Sequence, residues 1–246
     1  MSKIDISFDA VIADQPYGAT ACKWDSIIPF VPMWENINRC AKVNAAIVLF
    51  GAEPFSSALR LSNLRNYKYD IIWDKIKGTG FLNARRQPMR NHELISIFYR
   101  KQCVYNPQKT TGHQLKTSRK KAFSQTDVYG FMKNDCEYKS AERYPRSIVE
   151  FSTDTQKSSL HPTQKPIALY EYLIKTYTNK GDIVLDFCAG SGTLAVAAEK
   201  CGRKWVCIEK EEKYCDIAIK RIQGVAIEEP ADKPELTIED FIEVQG

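Results

Sequence analysis

The chain has 246 residues, of which 43% are hydrophobic, and this is enough to bury the core of a full domain. No apolar run approaches the ~18 residues of a membrane-spanning helix, and the first nine residues lack the apolar core of a secretory signal. The eight cysteines contain no C-x-x-C pair and the three histidines are scattered, so we expect reduced thiols and no metal site. Composition thus excludes the membrane-spanning and disulfide-stapled classes and favours a soluble cytoplasmic protein.

Strand and helix signals alternate along most of the chain. Apolar periods predict strands over residues 10–13, 45–50, 67–73, 93–99, 182–186 and 205–209, and helices over residues 31–43, 55–64, 167–178, 194–201 and 211–222. Strands that alternate with helices imply a parallel sheet with helices on both faces. Between residues 101 and 155 no period persists, and Pro107, Gly112 and Gly130 interrupt it, so we expect a separate lobe with mobile loops.

The first candidate site follows the first predicted strand. Asp14, Gln15, Pro16 and Tyr17, hereafter the tetrapeptide, come directly after an apolar run and end at Gly18. An amine on an aromatic ring is a poor nucleophile because its lone pair is delocalised, so a catalyst must accept its N–H hydrogens and hold the ring still. Asp14 and the backbone carbonyl of Gln15 can accept, and Tyr17 can stack on the ring. The alternative is an ordinary strand end that runs into a proline-containing turn.

A second candidate site lies near the carboxyl end, where a predicted strand, a glycine turn and a helix follow one another. Glycines let the backbone approach a ligand closely, and the start of the helix offers unpaired N–H groups to an anion or a carboxylate. Asp186 ends the strand before the turn and can meet an ammonium group, while Glu209 ends the next strand and can accept both hydroxyls of a ribose. The other candidate residues of this site are Phe187, Ala189, Gly190, Ser191, Gly192 and Thr193.

Taken alone, the glycine turn fits two cofactors. The run from Gly190 to Ala195 also matches the dinucleotide pattern G-x-G-x-x-A, with Glu209 at about the ~20-residue distance where that pattern places an acid. Asp186 favours S-adenosylmethionine, because a carboxylate at this position would repel a pyrophosphate. The tetrapeptide favours the same cofactor, since a hydride-transfer enzyme has no use for it.

Together, these motifs resemble the DNA amino-methyltransferases, which methylate adenine N6 or cytosine N4. Their order, with the tetrapeptide first, a recognition segment next and the cofactor loop last, looks like that of the beta group of this family. The resemblance spans residues 10–222 and includes residues 73–75 (Trp-Asp-Lys), 91–94 (Asn-His-Glu-Leu) and 161–166 (His-Pro-Thr-Gln-Lys-Pro). It implies S-adenosylmethionine as the cofactor, with Thr163 and Lys165 helping to hold its methionine part.

The tetrapeptide departs from the family pattern at one position. The family has Asp-Pro-Pro-Tyr, with Asn or Ser as alternatives in the first place, and here Gln15 replaces the first proline. Glutamine keeps the backbone carbonyl that the family is thought to use, but it lacks the fixed φ angle of proline, so the loop loses rigidity. Asp14 in the first place favours adenine N6, because relatives that act on cytosine N4 more often carry Ser.

The basic residues are concentrated in one segment. The net charge of the chain is +5, yet residues 100–146 contain eleven basic and four acidic side chains, interleaved with aromatic residues, whereas the last nineteen residues are acidic. This composition is typical of a nucleic-acid contact surface, and its alternative is a solvated loop. The candidate contacts to DNA phosphates are Lys75, Arg85, Arg86, Arg90, Arg119, Lys120 and Lys121.

We therefore predict an α/β fold: a doubly wound, seven-stranded, mostly parallel sheet of the S-adenosylmethionine-dependent methyltransferase type, with a small basic recognition lobe. Residues 1–100 would form the catalytic half of the sheet, 101–157 the recognition lobe, 158–224 the cofactor-binding half and 225–246 an acidic tail. In such a sheet, ligands bind beyond the carboxyl ends of the strands, so Asp14 and Asp186 should end adjacent strands.

The predicted function is site-specific methylation of double-stranded DNA at adenine N6, on a base that is flipped out of the helix. This fits a restriction–modification enzyme in the cytoplasm of a bacterial or phage-infected cell, with a homodimer and a partner restriction nuclease as open options. The alternatives are cytosine-N4 methylation, methylation of RNA or of a protein glutamine, a catalytically silent DNA-binding relative and a nicotinamide-dependent oxidoreductase.

Overall fold

The computed structural model describes residues 1, 4–18, 25–81, 84–119, 123–126, 130–133, 137–153 and 165–226. The strands are β1 (Phe8–Ala13), β2 (Ala41–Gly51), β3 (Tyr67–Thr79), β4 (Arg90–Phe98), β5 (Lys116–Arg119), β6 (Phe123–Thr126), β7 (Gly130–Lys133), β8 (Glu137–Ser140), β9 (Ile148–Glu150), β10 (Ile183–Asp186) and β11 (Lys204–Cys207). The helices are α1 (Phe30–Cys40), α2 (Phe55–Ser62), α3 (Ile167–Tyr177), α4 (Thr193–Cys201) and α5 (Glu212–Ala226).

The main sheet has seven strands in the order β11-β10-β1-β2-β4-β3-β9. All neighbours are parallel except β4, which is antiparallel to both β2 and β3. This confirms the mostly parallel, seven-stranded sheet. Because β1 and β10 are parallel neighbours, with Val11 opposite Leu185, their carboxyl ends lie at the same edge of the sheet.

The central strand β1 is apolar on both faces because helices cover both. Successive side chains of a strand point to opposite faces. Ala10 and Ile12 belong to a core cluster that includes residues of α3, α4 and α5, whereas Val11 and Ala13 belong to a second cluster with residues of α1 and α2. The doubly wound architecture predicted from the alternating elements is thus confirmed.

Several boundaries differ from the predicted ones, and two of the differences have a clear cause. The helix predicted over residues 31–43 ends at Cys40, because Ala41 is extended and pairs with Phe8 at the start of β2. Strand β3 continues six residues past Trp73 through an irregular stretch, where Ile76 has a φ of 68° and donates its N–H to Asp74 Oδ1. An apolar period cannot reveal such a polar, bulged extension.

The segment predicted as a recognition lobe is divided between two compact units. The smaller unit is Pro107–Arg146 and contains two antiparallel strand pairs, β5 with β8 and β6 with β7. The larger unit contains the rest of the chain, and β9 adds a parallel edge strand to it beside β3. Residues 227–246, most of the predicted acidic tail, lie outside the described part of the chain.

The described cysteines are free thiols, and most of them are buried. In the part of the chain that the structure describes, no helix is long and apolar enough to cross a membrane.

Candidate active site

The tetrapeptide leaves the end of β1 with its acid and its tyrosine facing each other. The hydroxyl of Tyr17 donates a hydrogen bond to Asp14 Oδ1. The Tyr17 ring stacks on Phe55, with ring centroids 5.4 Å apart and an interplanar angle of 27°. Burial raises the pKa of the Asp14 carboxyl and also that of the Tyr17 hydroxyl. A hydrogen-bond acceptor and an aromatic ring therefore lie together at the end of the strand.

The side chain of Gln15 is tied to the neighbouring strand. Its Nε2 donates a hydrogen bond of 3.0 Å to the carbonyl oxygen of Phe50, near the end of β2. The residue is only 2% exposed, and its Oε1 has no hydrogen-bond partner among the described residues. This hydrogen bond restrains the loop that proline would stiffen by fixing φ. Position 15 thus contributes a side-chain anchor, and the role of its backbone carbonyl stays a prediction.

Two lysines and two carboxylates meet beside the tetrapeptide and form what we call the charged cluster: Asp14, Glu93, Lys75 and Lys165. Lys165 Nζ lies 2.6 Å from Asp14 Oδ2 and 3.2 Å from Glu93 Oε2. Lys75 Nζ forms an ion pair with Glu93 Oε1, and the Tyr17 hydroxyl lies 3.5 Å from Glu93 Oε2. All four charged side chains are at most 17% exposed. Because the two positive and two negative charges balance, the cluster can be buried without a net charge.

The members of the charged cluster differ in how burial and pairing balance. Burial alone would raise the pKa of Glu93, but Lys165 and Lys75 outweigh it and hold this pKa below its usual value. Burial alone would lower the pKa of Lys165, but Asp14 and Glu93 hold it above its usual value. At Asp14, burial outweighs the attraction of Lys165, so the pKa is raised. Burial and pairing therefore shift the two carboxylates of the cluster in opposite directions, towards the protonated form at Asp14 and towards the ionised form at Glu93.

Both lysines have neighbours that the sequence does not predict. The sequence predicts that Lys75 reaches DNA, but its side chain is 12% exposed and paired with Glu93, which speaks against a phosphate contact. The predicted place of Lys165 is the methionine part of the cofactor, but its ammonium group lies between Asp14 and Glu93.

The sequence marks Glu93 only as part of a strand-end motif. The signal for it is an acid at the start of a buried run, Leu94 to Phe98, that is apolar except for Ser96.

The turn between β10 and α4 depends on its glycines. Gly190 and Gly192 have φ angles of 52° and 74°, in the left-handed region. A Cβ atom at Gly192 would lie only 2.7 Å from Cβ of Ala218 on α5. Glu209 lies two residues past β11. Its carboxylate accepts the N–H of Gly190 at 2.6 Å and the N–H groups of Lys210 and Glu211 at 2.9 and 3.0 Å. The glycine turn and Glu209, both predicted to bind the cofactor, are therefore in direct contact.

Asp186 is a buried acid at the end of β10. It is 1% exposed, and its Oδ1 accepts the N–H of Cys188 at 2.9 Å. Burial raises the pKa of Asp186 to about 8, and the nearby Asp14 and Glu209 carboxylates add to the shift. Three acids thus converge at one edge of the sheet, an arrangement that suits a cationic ligand.

The other residues predicted to bind the cofactor belong to this turn or begin the helix after it. Phe187, Ala189, Ser191 and Thr193 are buried. Arg221 on α5 donates hydrogen bonds to the carbonyl oxygen and the Oγ of Ser191, at 2.5 and 2.8 Å. Ser191 therefore helps to fix the turn against α5.

The predicted DNA contacts are only partly described. Arg85, Arg86 and Arg90 are exposed at and before the start of β4, and Arg119 is the last residue of β5. Lys120 and Lys121, as well as the predicted cofactor residue Thr163, lie outside the described residues.

Comparison with known proteins relates the chain to one family. The family model of N6 and N4 DNA methylases matches residues 8–220. The type II methyltransferase M1.MboII of Moraxella bovis is 26% identical over 234 residues, covering 86% of this chain and 88% of that protein. The type II methyltransferase M.HinfI of Haemophilus influenzae is 26% identical over 261 residues, covering 89% of this chain and 64% of that protein.

Solved structures of DNA methyltransferases share the fold. The M1.HpyAVI complex with S-adenosylmethionine matches with a TM-score of 0.59 at 23% identity, covering 88% of this chain and 89% of that chain. The cytosine-N4-specific PvuII DNA methyltransferase matches with a TM-score of 0.60 at 15% identity, covering 90% of this chain and 84% of that chain. The predicted methyltransferase-type sheet is thereby confirmed. Since the family model covers most of the sequence, the chain belongs to the N6/N4 DNA methylase family, whose methyl donor is S-adenosylmethionine.

Proposed function

We propose that this chain transfers a methyl group from S-adenosylmethionine to the exocyclic amine of a base flipped out of double-stranded DNA, with adenine N6 as the target. The observation that carries the proposal is the parallel pairing of β1 with β10. This pairing brings Asp14 and Tyr17 to the same edge of the sheet as Asp186 and the glycine turn. The site for the target amine and the site for the methyl donor, which lie far apart in the sequence, can then serve one methyl transfer.

The side chains at this edge fit the cofactor. Asp186 would hold the ammonium group of the cofactor, and Glu209 would hold its ribose hydroxyls. The turn from Phe187 to Thr193 would lie along the rest of the cofactor. When bound, S-adenosylmethionine supplies a methyl group that is already activated by a positively charged sulfur. The acids Asp14, Asp186 and Glu209 would favour this cationic molecule by charge.

The tetrapeptide would act on the base. Tyr17 presents its ring for stacking, and Asp14 and the carbonyl group of Gln15 accept the two N–H groups of the amine. As the nitrogen gains the methyl group it becomes positively charged, and Asp14, whose pKa is raised by burial, takes the proton that the nitrogen then loses. Most of the rate gain would come from holding the two reactants in register.

Adenine is the preferred target because an aspartate stands first in the tetrapeptide. Cytosine N4 is the second candidate, and the structural match to a cytosine-N4-specific enzyme favours it. The exposed arginines Arg85, Arg86 and Arg90 would contact DNA phosphates, together with the basic segment that includes Arg119, Lys120 and Lys121. Because M1.MboII and M.HinfI are type II methyltransferases, we extend a restriction–modification role in the cytoplasm to this chain.

The direct test is incubation with tritiated S-adenosylmethionine and a mixture of unmethylated phage DNA, RNA and protein. Label should enter the DNA alone, and digestion to nucleosides should recover it as N6-methyldeoxyadenosine. Label on cytosine N4 would select the second candidate. Label in RNA or protein, or no transfer at all, would overturn the proposal.

A further inference from the structure

Asp14 is the proposed acceptor of the amine hydrogens, yet its carboxylate already has two partners. Its Oδ1 accepts a hydrogen bond from Tyr17, and its Oδ2 lies 2.6 Å from Lys165 Nζ. A carboxylate has room for further hydrogen bonds, but the ammonium group of Lys165 competes directly for its negative charge. An incoming amine must therefore share Asp14 with Lys165 or replace it.

Lys165 has a second carboxylate within reach. Its Nζ lies 3.2 Å from Glu93 Oε2, while the other oxygen of Glu93 is held by Lys75. Glu93 is also fixed by the backbone of β4, where it pairs with Trp73 of β3. Lys165 can thus leave Asp14 without becoming an unpaired buried charge, which would be strongly unfavourable.

We propose that Lys165 and Glu93 form a positioning pair for Asp14: Lys165 neutralises and orients the Asp14 carboxylate in the resting protein, and moves towards Glu93 when the target amine binds. This inference rests on the proposed function and deepens it, since it names two residues that prepare the acceptor. Neither residue needs to touch the methyl group.

Several titratable groups face Asp14. Among the described residues that face Asp14, Lys165 is the cation, so its removal leaves Asp14 beside described groups that are neutral or negative. They come from the loop after β1, from β4, from the residues before α3 and its first turn, and from the end of β10 and the turn after it: Tyr17, Glu93, Lys165, Tyr170, Asp186 and Cys188.

The two members of the pair act on Asp14 in opposite directions. Lys165 lowers the pKa of Asp14 by attraction, and Glu93 raises it by repulsion. Asp14 must be ionised to accept the amine hydrogens, so the acidic limb of the pH–rate profile should move to higher pH in Lys165→Met and to lower pH in Glu93→Gln. Glu93→Gln should also lower the maximal rate about tenfold or more, because Lys165 then has to break its bond to Asp14 without a charged replacement.

The test uses two measurements on wild type, Lys165→Met, Glu93→Gln and the double variant. The first is single-turnover methyl transfer to DNA as a function of pH, and the second is a ¹³C NMR titration of the Asp14 carboxyl without DNA. Lys42→Met is the matched control, because Lys42 Nζ also lies 2.6 Å from an aspartate, Asp9, near the opposite end of the same strand.

Opposite shifts of the Asp14 titration in the two single variants, with none in Lys42→Met, would support the inference. The double variant should be faster at neutral pH than Lys165→Met, because Asp14 no longer faces the repulsion of the Glu93 carboxylate. The inference would be overturned if the Asp14 titration did not move in Lys165→Met. It would also be overturned if the main effect of Lys165→Met were a loss of S-adenosylmethionine affinity, which would support the predicted contact of Lys165 with the cofactor.

Two further arms keep the outcome decisive. If Lys165→Met does not fold, Lys165→Gln takes its place with the same expected shift. If wild type methylates no DNA, the proposed function fails, and with it the proposed displacement of Lys165 from Asp14 by the target amine. The carboxyl titration then still decides whether Lys165 and Glu93 set the ionisation of Asp14.

Discussion

At the residue scale, Gln15 shows how the chain accommodates its departure from the family tetrapeptide. The hydrogen bond from its amide to Phe50 joins the loop after β1 to the end of β2. A net hydrogen bond of this kind contributes about 0.5–1.5 kcal/mol, so its loss should slow turnover by roughly two- to tenfold if it positions Asp14. Gln15→Met, which keeps the length but not the donor, should show this loss. Gln15→Pro, which stiffens the loop by fixing φ, should keep turnover near wild type.

Steady-state methylation kinetics test this expectation, with S-adenosylmethionine affinity measured in parallel as the control. Gln15→Met at the wild-type rate would show that the side chain is only a filler of space.

Asp186 is the residue whose protonation should couple to cofactor binding. Burial raises its pKa to about 8, so it carries a proton at neutral pH in the free protein. An ammonium ligand favours the ionised form, so binding should release a proton below pH 8, and affinity should increase between about pH 6 and pH 8. Calorimetry in buffers of different ionisation enthalpy counts the protons, and Asp186→Asn should bind more weakly and release none.

The same raised pKa has a consequence for stability. A folded carboxyl group that holds its proton more tightly than the unfolded one favours the folded state at low pH. The contribution of Asp186 to the free energy of unfolding should therefore decline from its unfolded pKa, about 4, up to about 8. Binding of S-adenosylmethionine without proton release at pH 7 would contradict the assignment of Asp186 to its ammonium group.

At the scale of elements, helix α4 lies between two left-handed glycines, and only one of them is crowded. Gly192 has a φ of 74° and faces Ala218 on α5, whereas Gly202 has a φ of 67°, and a Cβ atom added there would meet nothing within 4 Å. Gly202→Ala should cost about 1 kcal/mol for the left-handed conformation alone. Gly192→Ala should cost about 1–3 kcal/mol more, because α5 must move away. Denaturant unfolding measures both, and equal losses would contradict the close approach of α4 and α5.

The elements that carry the site could be predicted from the sequence, because burial leaves a local signal. Ala10 to Ala13 form an unbroken apolar run since helices cover both faces of β1, and the glycine turn follows from Gly190 and Gly192. The adjacency of β1 and β10 follows from the rules of doubly wound sheets. Local patterns of this kind fix the positions of backbone groups.

The contacts between side chains could not be predicted in the same way. Lys165 and Asp14 are 151 residues apart, and Gln15 and Phe50 are 35 apart, so no period or spacing links them. Their pairing depends on the path of the chain before α3 and on the register of β1 with β2. The short strands between residues 107 and 146 also lack an apolar alternation that would mark them.

At the scale of the whole molecule, the candidate site belongs entirely to the larger unit, while the smaller unit, Pro107–Arg146, is strongly basic. It contains nine basic and four acidic residues. Neutralising Arg119, Lys120 and Lys121 should weaken DNA binding without changing cofactor affinity. It should also reduce the salt dependence by up to ~0.9 log units for each phosphate that the protein no longer neutralises.

DNA binding measured as a function of salt concentration checks this expectation. The matched control neutralises three exposed lysines of the larger unit, Lys180, Lys200 and Lys204, and should leave the salt slope as it is. The same slope in both triple variants and in wild type would mean that the basic run is a solvated loop.

The central claim is that this chain methylates the amine of a DNA base with Asp14 as the acceptor. Sequencing by a method that detects modified bases, applied to DNA from cells that express the wild-type chain or Asp14→Ala, tests it most directly. We predict N6-methyladenine in one sequence context with wild type and none with Asp14→Ala. Unmodified DNA in wild-type cells, or modification that persists with Asp14→Ala, would contradict the account.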